Sequence, residues 1–496
     1  MVYSILHLEP YTDLSLVHVH QQRVQEYVTH LKNLGRRVPV GRLPYTEPSQ
    51  RHSFGPMNVE CPHCQALHWP AERLKHSSAR HPQFGFCCNS GQVQIPLPKE
   101  PPSEYKEILD DTGVFGRIFR DKIRMFNAVL SFTSLGVQVD ESINRRGHGP
   151  YVFKIHGELC HLVGSLLPIE GRQPSYAQLY IYDPHSALQH RVERNGLLGD
   201  DHQRERELLE KLQAIINQCH PYARILKNAT AILQEHTTTD DVSIRLHFNS
   251  RHHEDKRRYN LPSADEVAVI LPGSGEQEHD RRDIVLHKRS GQLQRIHDGH
   301  PAYAPLHYVL LFPYGDHGWH KDIPLSRSDG GEERHVTQTR FYAYQLQVRR
   351  GYYSTILRGG RLLQQYIVDA WASSDQNTLN WYRHNQGSIR AALYSGLEDA
   401  VARADDDIHI NPQNLGQRFI LPSSYQGGQR YMHQLLQDAL AIGREFRKIN
   451  LFITVTCNPD WPEIAQELYS MQTPSDRADL IARVFHLKKK LFLMIS

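Results

Sequence analysis

Residues 429–462 read QRYMHQLLQDALAIGREFRKINLFITVTCNPDWP, and they set two periodicities side by side. Tyr431, Leu435, Ala439, Ile442 and Phe446 recur at helical spacing, which predicts a helix over 429–447. The run Leu451-Phe452-Ile453-Thr454-Val455-Thr456 is β-branched and aromatic throughout, which predicts a strand ended by Asn458-Pro459. Pro462 suits the first turn of a short helix, and a last helix is expected over about 476–491.

Working outward, 338–402 reads as mainly helical, with breaks near Gly359-Gly360 and Asn385–Gly387. Phe115, Ile118, Phe119, Ile123, Phe126 and Leu130 give helical spacing within 104–132, and Leu208, Leu212, Ile215, Ile216 and Cys219 mark another helix. Strands are expected at 151–155, 178–182, 242–248 and 284–288, with polar loops at 272–283 and 324–336. A short helical pattern lies near 20–34. The fold class is therefore α+β. The divisions are a polar segment 1–55, a zinc-finger-like module 56–98, a mixed α/β region 104–320, and a helical region 338–496. Pro96, Pro98, Pro101 and Pro102 form a stiff extended stretch between the second and third of these.

The chain has 496 residues, about three domains' worth. Lys and Arg number 57 against 54 acids, a net charge of +3, which excludes a strongly basic coat while leaving local basic patches open. Mean hydropathy is −0.55. No basic segment followed by an apolar stretch opens the chain, and its apolar runs are far shorter than the ~20 residues that cross a bilayer, so a soluble intracellular protein is expected.

Four of the seven cysteines fall between 61 and 88, an arrangement that suits a metal site in a reducing compartment. Cys61-Pro62-His63-Cys64 is a CxxC knuckle, and Cys87-Cys88 follows 22 residues beyond it, with His63, His68, His76 and His81 interspersed. Zinc takes four tetrahedral nitrogen or sulfur ligands, commonly from two short-spaced pairs. Cys61, Cys64 and one of Cys87 and Cys88 supply three; the fourth is the other cysteine or a histidine, because side chains of adjacent residues tend to diverge. Cys61, Cys64, Cys87 and Cys88 are the expected set, holding a structural Zn²⁺; buried cysteines packing as small apolar groups are the alternative.

Signals for other chemistry are weak or missing. No GxxxxGK[ST], HExxH or GxSxG is present, which excludes a phosphate-cradling P-loop and two common hydrolase sites. His18-Val19-His20 is a bare HxH, and Asp405-Asp406-Asp407 reads as a solvated loop as readily as a Mg²⁺ site. Basic and aromatic residues alternate at 251–259, where Arg257, Arg258 and Tyr259 are the candidate DNA-binding residues; Lys and Arg would meet phosphates and Tyr259 would stack. Arg349-Arg350-Gly351-Tyr352-Tyr353, Arg447-Lys448 and the stretch Arg483 to Lys490 share that texture.

Several ordered blocks resemble the N-terminal region of Helitron transposases. They include Cys61-xx-Cys64 with Trp69 and Phe86-Cys87-Cys88; Phe132-Thr133-Ser134-Leu135-Gly136 with Gly164-Ser165-Leu166-Leu167-Pro168; and Ala177 to Asp183. Arg258-Tyr259-Asn260-Leu261-Pro262, Tyr308 to Gly315, Leu421-Pro422-Ser423-Ser424-Tyr425 and Leu451 to Glu463 follow. The resemblance implies rolling-circle transposition: a zinc-finger-like N-terminus, a replication-initiator nuclease of the two-His, Tyr type built on an antiparallel sheet, and an ATP-dependent helicase. It implies single-stranded DNA as partner, a nuclear location, and Mg²⁺ or Mn²⁺ in the complete protein. In the family the His pair and catalytic Tyr lie beyond the Thr456-Cys457-Asn458-Pro459 block, and this sequence has no HxH after Cys457. The expectation is an incomplete nuclease domain with no catalytic residues, working with a downstream nuclease or helicase fragment or retained as a non-enzymatic zinc-containing DNA-binding protein.

Overall fold

The computed structural model describes residues 29, 52–142, 144, 151–156, 159–168, 171–198, 202–235, 242–246, 268–272, 284–287, 293–326, 334–386, 420–447 and 453–495. Residues 1–53 form one unit and 54–496 a second, to which all that follows refers. The helix expected near 20–34, His18 and His20, Arg257, Arg258 and Tyr259, and Asp405–Asp407 lie outside the described residues, save Thr29.

The second unit opens with a two-stranded hairpin, β1 (Val59–Glu60) and β2 (Leu67–His68), in which Val59 faces His68. The proline-rich stretch that follows is extended, and it is part of the body: Val93, Ile95, Pro98 and Pro101 are buried. The helical spacing within 104–132 takes form as two helices, α1 (Ser103–Asp110) and α2 (Val114–Leu130), the second holding Phe115, Ile118, Phe119, Ile123, Phe126 and Leu130. Asp111 makes the break. Its carboxylate accepts from the N–H groups of Gly113 at 2.8 Å and Gly116 at 2.6 Å, capping α2. α2 buries Phe119, Ile123, Phe126 and Leu130 along one stripe, each worth about 1.5–3 kcal/mol of apolar burial.

Short antiparallel pairings fill the middle. β3 (Ser134–Leu135) and β10 (Gln294–Ile296) flank β6 (His161–Val163), and β4 (Gln138–Val139) pairs with β5 (Ile155–His156). α3 (Pro184–Arg194), α4 (Gln203–Cys219) and α5 (Pro221–Glu235) follow. Strands β7 (Val242–Leu246), β8 (Ala268–Pro272) and β9 (Ile284–His287) form a separate sheet in the order β8-β7-β9. Of the strand expected at 151–155, Ile155 alone enters a sheet. The run 178–182 is not a strand: Tyr176–Tyr180 is a 3-10 turn. Ser175 and Gln178 cap it reciprocally, and Tyr180, buried, donates its hydroxyl to the Leu130 carbonyl. A local capping box and one aromatic anchor outweigh β propensity there.

The remaining elements are α6 (Tyr303–His307), α7 (Gln338–Gln345), α8 (Arg361–His384), α9 (Gln429–Phe446), α10 (Pro462–Ala465) and α11 (Ala478–Ile495). The expected strand at 451–456 is a correction. Residues 451–452 lie outside the described residues, and 453–458 join no sheet. Strand geometry is held by ladder partners, and 453–458 has none among the described residues, so Ile453 and Val455 remain 64% and 45% exposed. α9 buries no residue; Met432, Leu435, Leu436, Leu440, Ile442 and Phe446 are all exposed. The architecture is α+β, with helices around several small antiparallel sheets. No helix among the described residues is long and apolar enough to cross a membrane.

Candidate metal centre

Two tight turns build the cysteine cluster. After Cys61-Pro62-His63-Cys64, Gln65 takes a left-handed conformation (φ 60°), and the Cys61 N–H donates to the Ala66 carbonyl at 2.8 Å. After Cys87-Cys88, the residues Asn89, Ser90 and Gly91 are all left-handed. The Gly91 N–H donates to the Cys88 Sγ at 3.2 Å. Glycine is required there on two counts: φ is +89°, and a Cβ would come 2.8 Å from the His63 Nδ1. The Asn89 N–H reaches the Gly85 carbonyl at 3.0 Å, closing a helix-like turn. In such a turn consecutive side chains differ by about 100° rather than the 180° of a strand, so adjacent cysteines can serve one centre.

The four Sγ atoms of Cys61, Cys64, Cys87 and Cys88 lie within 4.8 Å of one another. Cys61 to Cys88 is 3.6 Å and Cys87 to Cys88 is 3.8 Å. A tetrahedral site with Zn–S bonds of about 2.3 Å has sulfur–sulfur edges of about 3.8 Å, whereas a disulfide needs about 2.05 Å. All seven cysteines are free thiols. Cys61, Cys87 and Cys88 are buried and Cys64 is half-buried, the closed surroundings of a structural site. Hydrogen bonding from Cys64, then from Cys87 and Cys88, holds the Cys61 thiol well below its ordinary range. Contacts with Cys61 and Cys64, together with burial, push Cys87 and Cys88 well above theirs. A cation bound among the four sulfurs would favour the thiolate form of each. These residues can hold a metal ion such as zinc, which when bound would clamp the two turns together.

The cluster is joined to residues far along the chain. Arg349 donates Nε to the Cys64 carbonyl at 2.9 Å and Nη2 to the Tyr344 carbonyl at 3.0 Å, with its guanidinium 4.3 Å from the centre of the Tyr344 ring. Leu67 N–H donates to the Val348 carbonyl at 2.8 Å. From α11, Arg483 grips both oxygens of Glu72 at 2.6 Å and also donates to the Leu67 carbonyl at 2.8 Å. Met57 and Trp69 share a small core with Ile464, Leu480, Val484 and Leu487.

Among the described residues the group that could hold a metal is the four cysteines, and none of His63, His68, His76 and His81 belongs to it. His68 is buried, with Nδ1 2.9 Å from Glu72 Oε2. Burial pushes its pKa down. Burial opposes ionisation of Glu72, but His68 and Arg483 hold its carboxyl below the usual range. Arg349, read from sequence as part of a basic-aromatic surface, is 6% exposed and serves as internal bracing. Its neighbour Arg350 pairs with Glu60 at 3.1 Å, and the Tyr352 hydroxyl donates to the Pro98 carbonyl.

Sequence reasoning missed a buried polar group in the main core. His161 on β6 has Nε2 2.7 Å from Asp369 Oδ2 and Nδ1 3.1 Å from the Tyr303 carbonyl. The hydroxyls of Tyr308 and Tyr303 donate to Asp369 at 2.6 and 2.9 Å, and the His161 ring stacks on those of Tyr303 and His307. Burial works against the Asp369 carboxylate, yet the charge and hydrogen bond of His161, with the Tyr308 hydroxyl, hold it below its usual range. Burial and then the proximity of His161 push His307 down to about 3. This network ties β6 and α6 to α8. One signal was available: Asp369 falls on the buried stripe of α8 with Leu362, Tyr366 and Ser373, where an unpaired carboxylate would be costly.

Fold and centre define a class: an α+β chain with a closed four-cysteine cluster able to hold a metal, braced from its C-terminal helices. The particular likeness is to Helitron proteins: residues 341–495 match the Helitron helicase-like domain at N-terminus. The chain is Helitron-like on that ground. The match runs from within α7 to the end of α11 and covers under a third of the chain; the resembling blocks before residue 341 lie outside it. No curated protein matches the chain.

Proposed function

We propose that this chain is a DNA-binding component of Helitron-type rolling-circle transposition, that Cys61, Cys64, Cys87 and Cys88 hold a structural Zn²⁺, and that the chain by itself neither nicks DNA nor hydrolyses ATP. The observation that carries the reading is the match of residues 341–495 to a Helitron helicase-like domain, which implies interaction with DNA. The bonds from Arg349 and Arg483 to the cysteine-bearing hairpin support treating metal centre and matched domain as one functional body.

Two features support the inert reading. A metal-assisted nick needs a cation on the scissile phosphate and a hydroxyl in line behind it. The run 453–458 has no sheet partner among the described residues, and α9 beside it in sequence leaves its apolar side chains exposed. The chain would act in the nucleus, on single-stranded DNA, alongside a nuclease or helicase fragment that brings Mg²⁺ or Mn²⁺. The test is a labelled single strand incubated with the purified chain, then resolved on native and denaturing gels. The reading expects a salt-sensitive complex, no cleavage and no covalent adduct with Mg²⁺ or Mn²⁺, and no ATP turnover. A protein-linked band abolished by one Tyr→Phe change would overturn the inert half; absence of any complex at low salt would overturn the DNA-binding half.

A further inference from the structure

A groove of about 470 Å³ lies where the cysteine-bearing segment meets α7 and α11. Phe86, one residue before Cys87, stands on one wall and is 43% exposed. Leu346 and Gln347 line it from the end of α7, and Arg483, His486 and Lys490 line it from α11. The last three sit at i, i+3 and i+7, one face of a helix. The groove also has acids on it, but they are committed. Glu72 is held by Arg483 and His68, and Asp479 receives three bonds from Arg477 at 2.9 to 3.3 Å. His486 and Lys490 are exposed and make no ion pair among the described residues, so Lys490 carries uncompensated positive charge at the mouth. One acceptor is also unmatched: Oε1 of Gln347, a residue only 5% exposed, has no hydrogen-bond partner among the described residues.

We infer that this groove is the single-strand binding site of the chain, with Phe86 as a stacking platform for an unpaired base and the His486–Lys490 face of α11 tracking the phosphates. An aromatic face beside a basic stripe is the usual means of holding single strands without sequence preference. In a duplex the base faces are already stacked, so an exposed ring such as Phe86 favours unpaired nucleotides. Arg483, locked on Glu72, positions Phe86 instead of meeting phosphate: its guanidinium lies 5.0 Å from the centre of that ring. This inference rests on the DNA-binding reading and assigns it a surface other than 251–259.

The experiment is fluorescence anisotropy of a labelled oligo-dT with the full chain across a salt series. Phe86→Ala should weaken binding roughly tenfold, since base–aromatic stacking is worth about 1–3 kcal/mol. Phe86→Trp should keep the wild-type affinity. Lys490→Ala should flatten the slope of log affinity against log salt by about 0.7, one phosphate's worth for a single strand. Trp381→Ala, which removes an exposed ring of α8 outside the groove, should change neither quantity. Circular dichroism of each variant confirms folding. Wild-type affinity and slope in both Phe86→Ala and Lys490→Ala would overturn the groove while leaving DNA binding standing; no binding by the wild type would overturn the parent reading itself.

Discussion

Arg349 donates its Nε to the backbone carbonyl of Cys64 at 2.9 Å, across 285 positions of sequence. A metal-ligand candidate and the Helitron-like stretch are thereby parts of one packed structure. Arg349 is buried and also meets the carbonyls of Tyr344 and Gln347. Arg349→Ala leaves these acceptors without a donor, at about 1–3 kcal/mol for each that water cannot reach. The expected outcome is a loss of about 3 kcal/mol in urea unfolding. Arg349→Lys should rescue little of it, because an ammonium lacks the planar fork that reaches several carbonyls and stacks on Tyr344. Full stability in Arg349→Ala would show that the bracing is incidental.

The buried His161–Asp369 pair predicts a strong effect from a nearly isosteric change. Asp369→Asn removes the carboxylate that accepts from Tyr303, Tyr308 and His161. Removing one partner of a buried pair costs about 3–5 kcal/mol. Denaturant midpoints of wild type and variant measure it, and a difference below 1 kcal/mol would contradict the structural role given to the network.

Acid should destabilise the fold in a specific window. Burial pushes both His220 and His307 down to about 3, against an unfolded value of about 6.5. Below that value the unfolded chain binds more protons than the folded one, so stability falls as pH drops from about 6.5 toward 3 and is retained above. Each histidine contributes about 2 kcal/mol of loss between pH 7 and pH 5. Thermal midpoints over that range should drop steeply. His220→Gln should be less stable than wild type at pH 7 yet show a shallower pH dependence; an unchanged slope would contradict the assignment.

Much of this was legible in the sequence wherever one periodicity ran unopposed. The helices at 203–219 and 429–446 and the strands within 242–248 and 284–288 follow directly from apolar spacing. The errors fall where local hydrogen bonding overrode pattern. Ser175 with Gln178 turned a β-rich run into a 3-10 turn. Ile453–Thr456 has a strand's composition but no ladder among the described residues. Composition alone does not supply a partner. At the metal centre the two cysteine pairs were visible from spacing. The left-handed turn at Asn89, Ser90 and Gly91 that follows Cys88, in a helix-like turn where two adjacent thiols converge, was not. Nor could spacing reveal Arg349 and Arg483, whose partners lie hundreds of residues away.

The central claim is that the four cysteines form a metal centre built into the Helitron-like body. The most direct measurement is the metal content of the purified full chain, with thiol titration before and after chelation. The account predicts one zinc per chain, with three reactive thiols before chelation and seven after it. It also predicts loss of zinc in Cys61→Ser and Cys88→Ser, with a cooperative fall in stability reaching beyond 58–95, because Cys61, Cys87 and Cys88 share the main core with Phe119, Leu212 and Leu363. A chain that folds without metal, with all seven thiols reactive from the start, would contradict it.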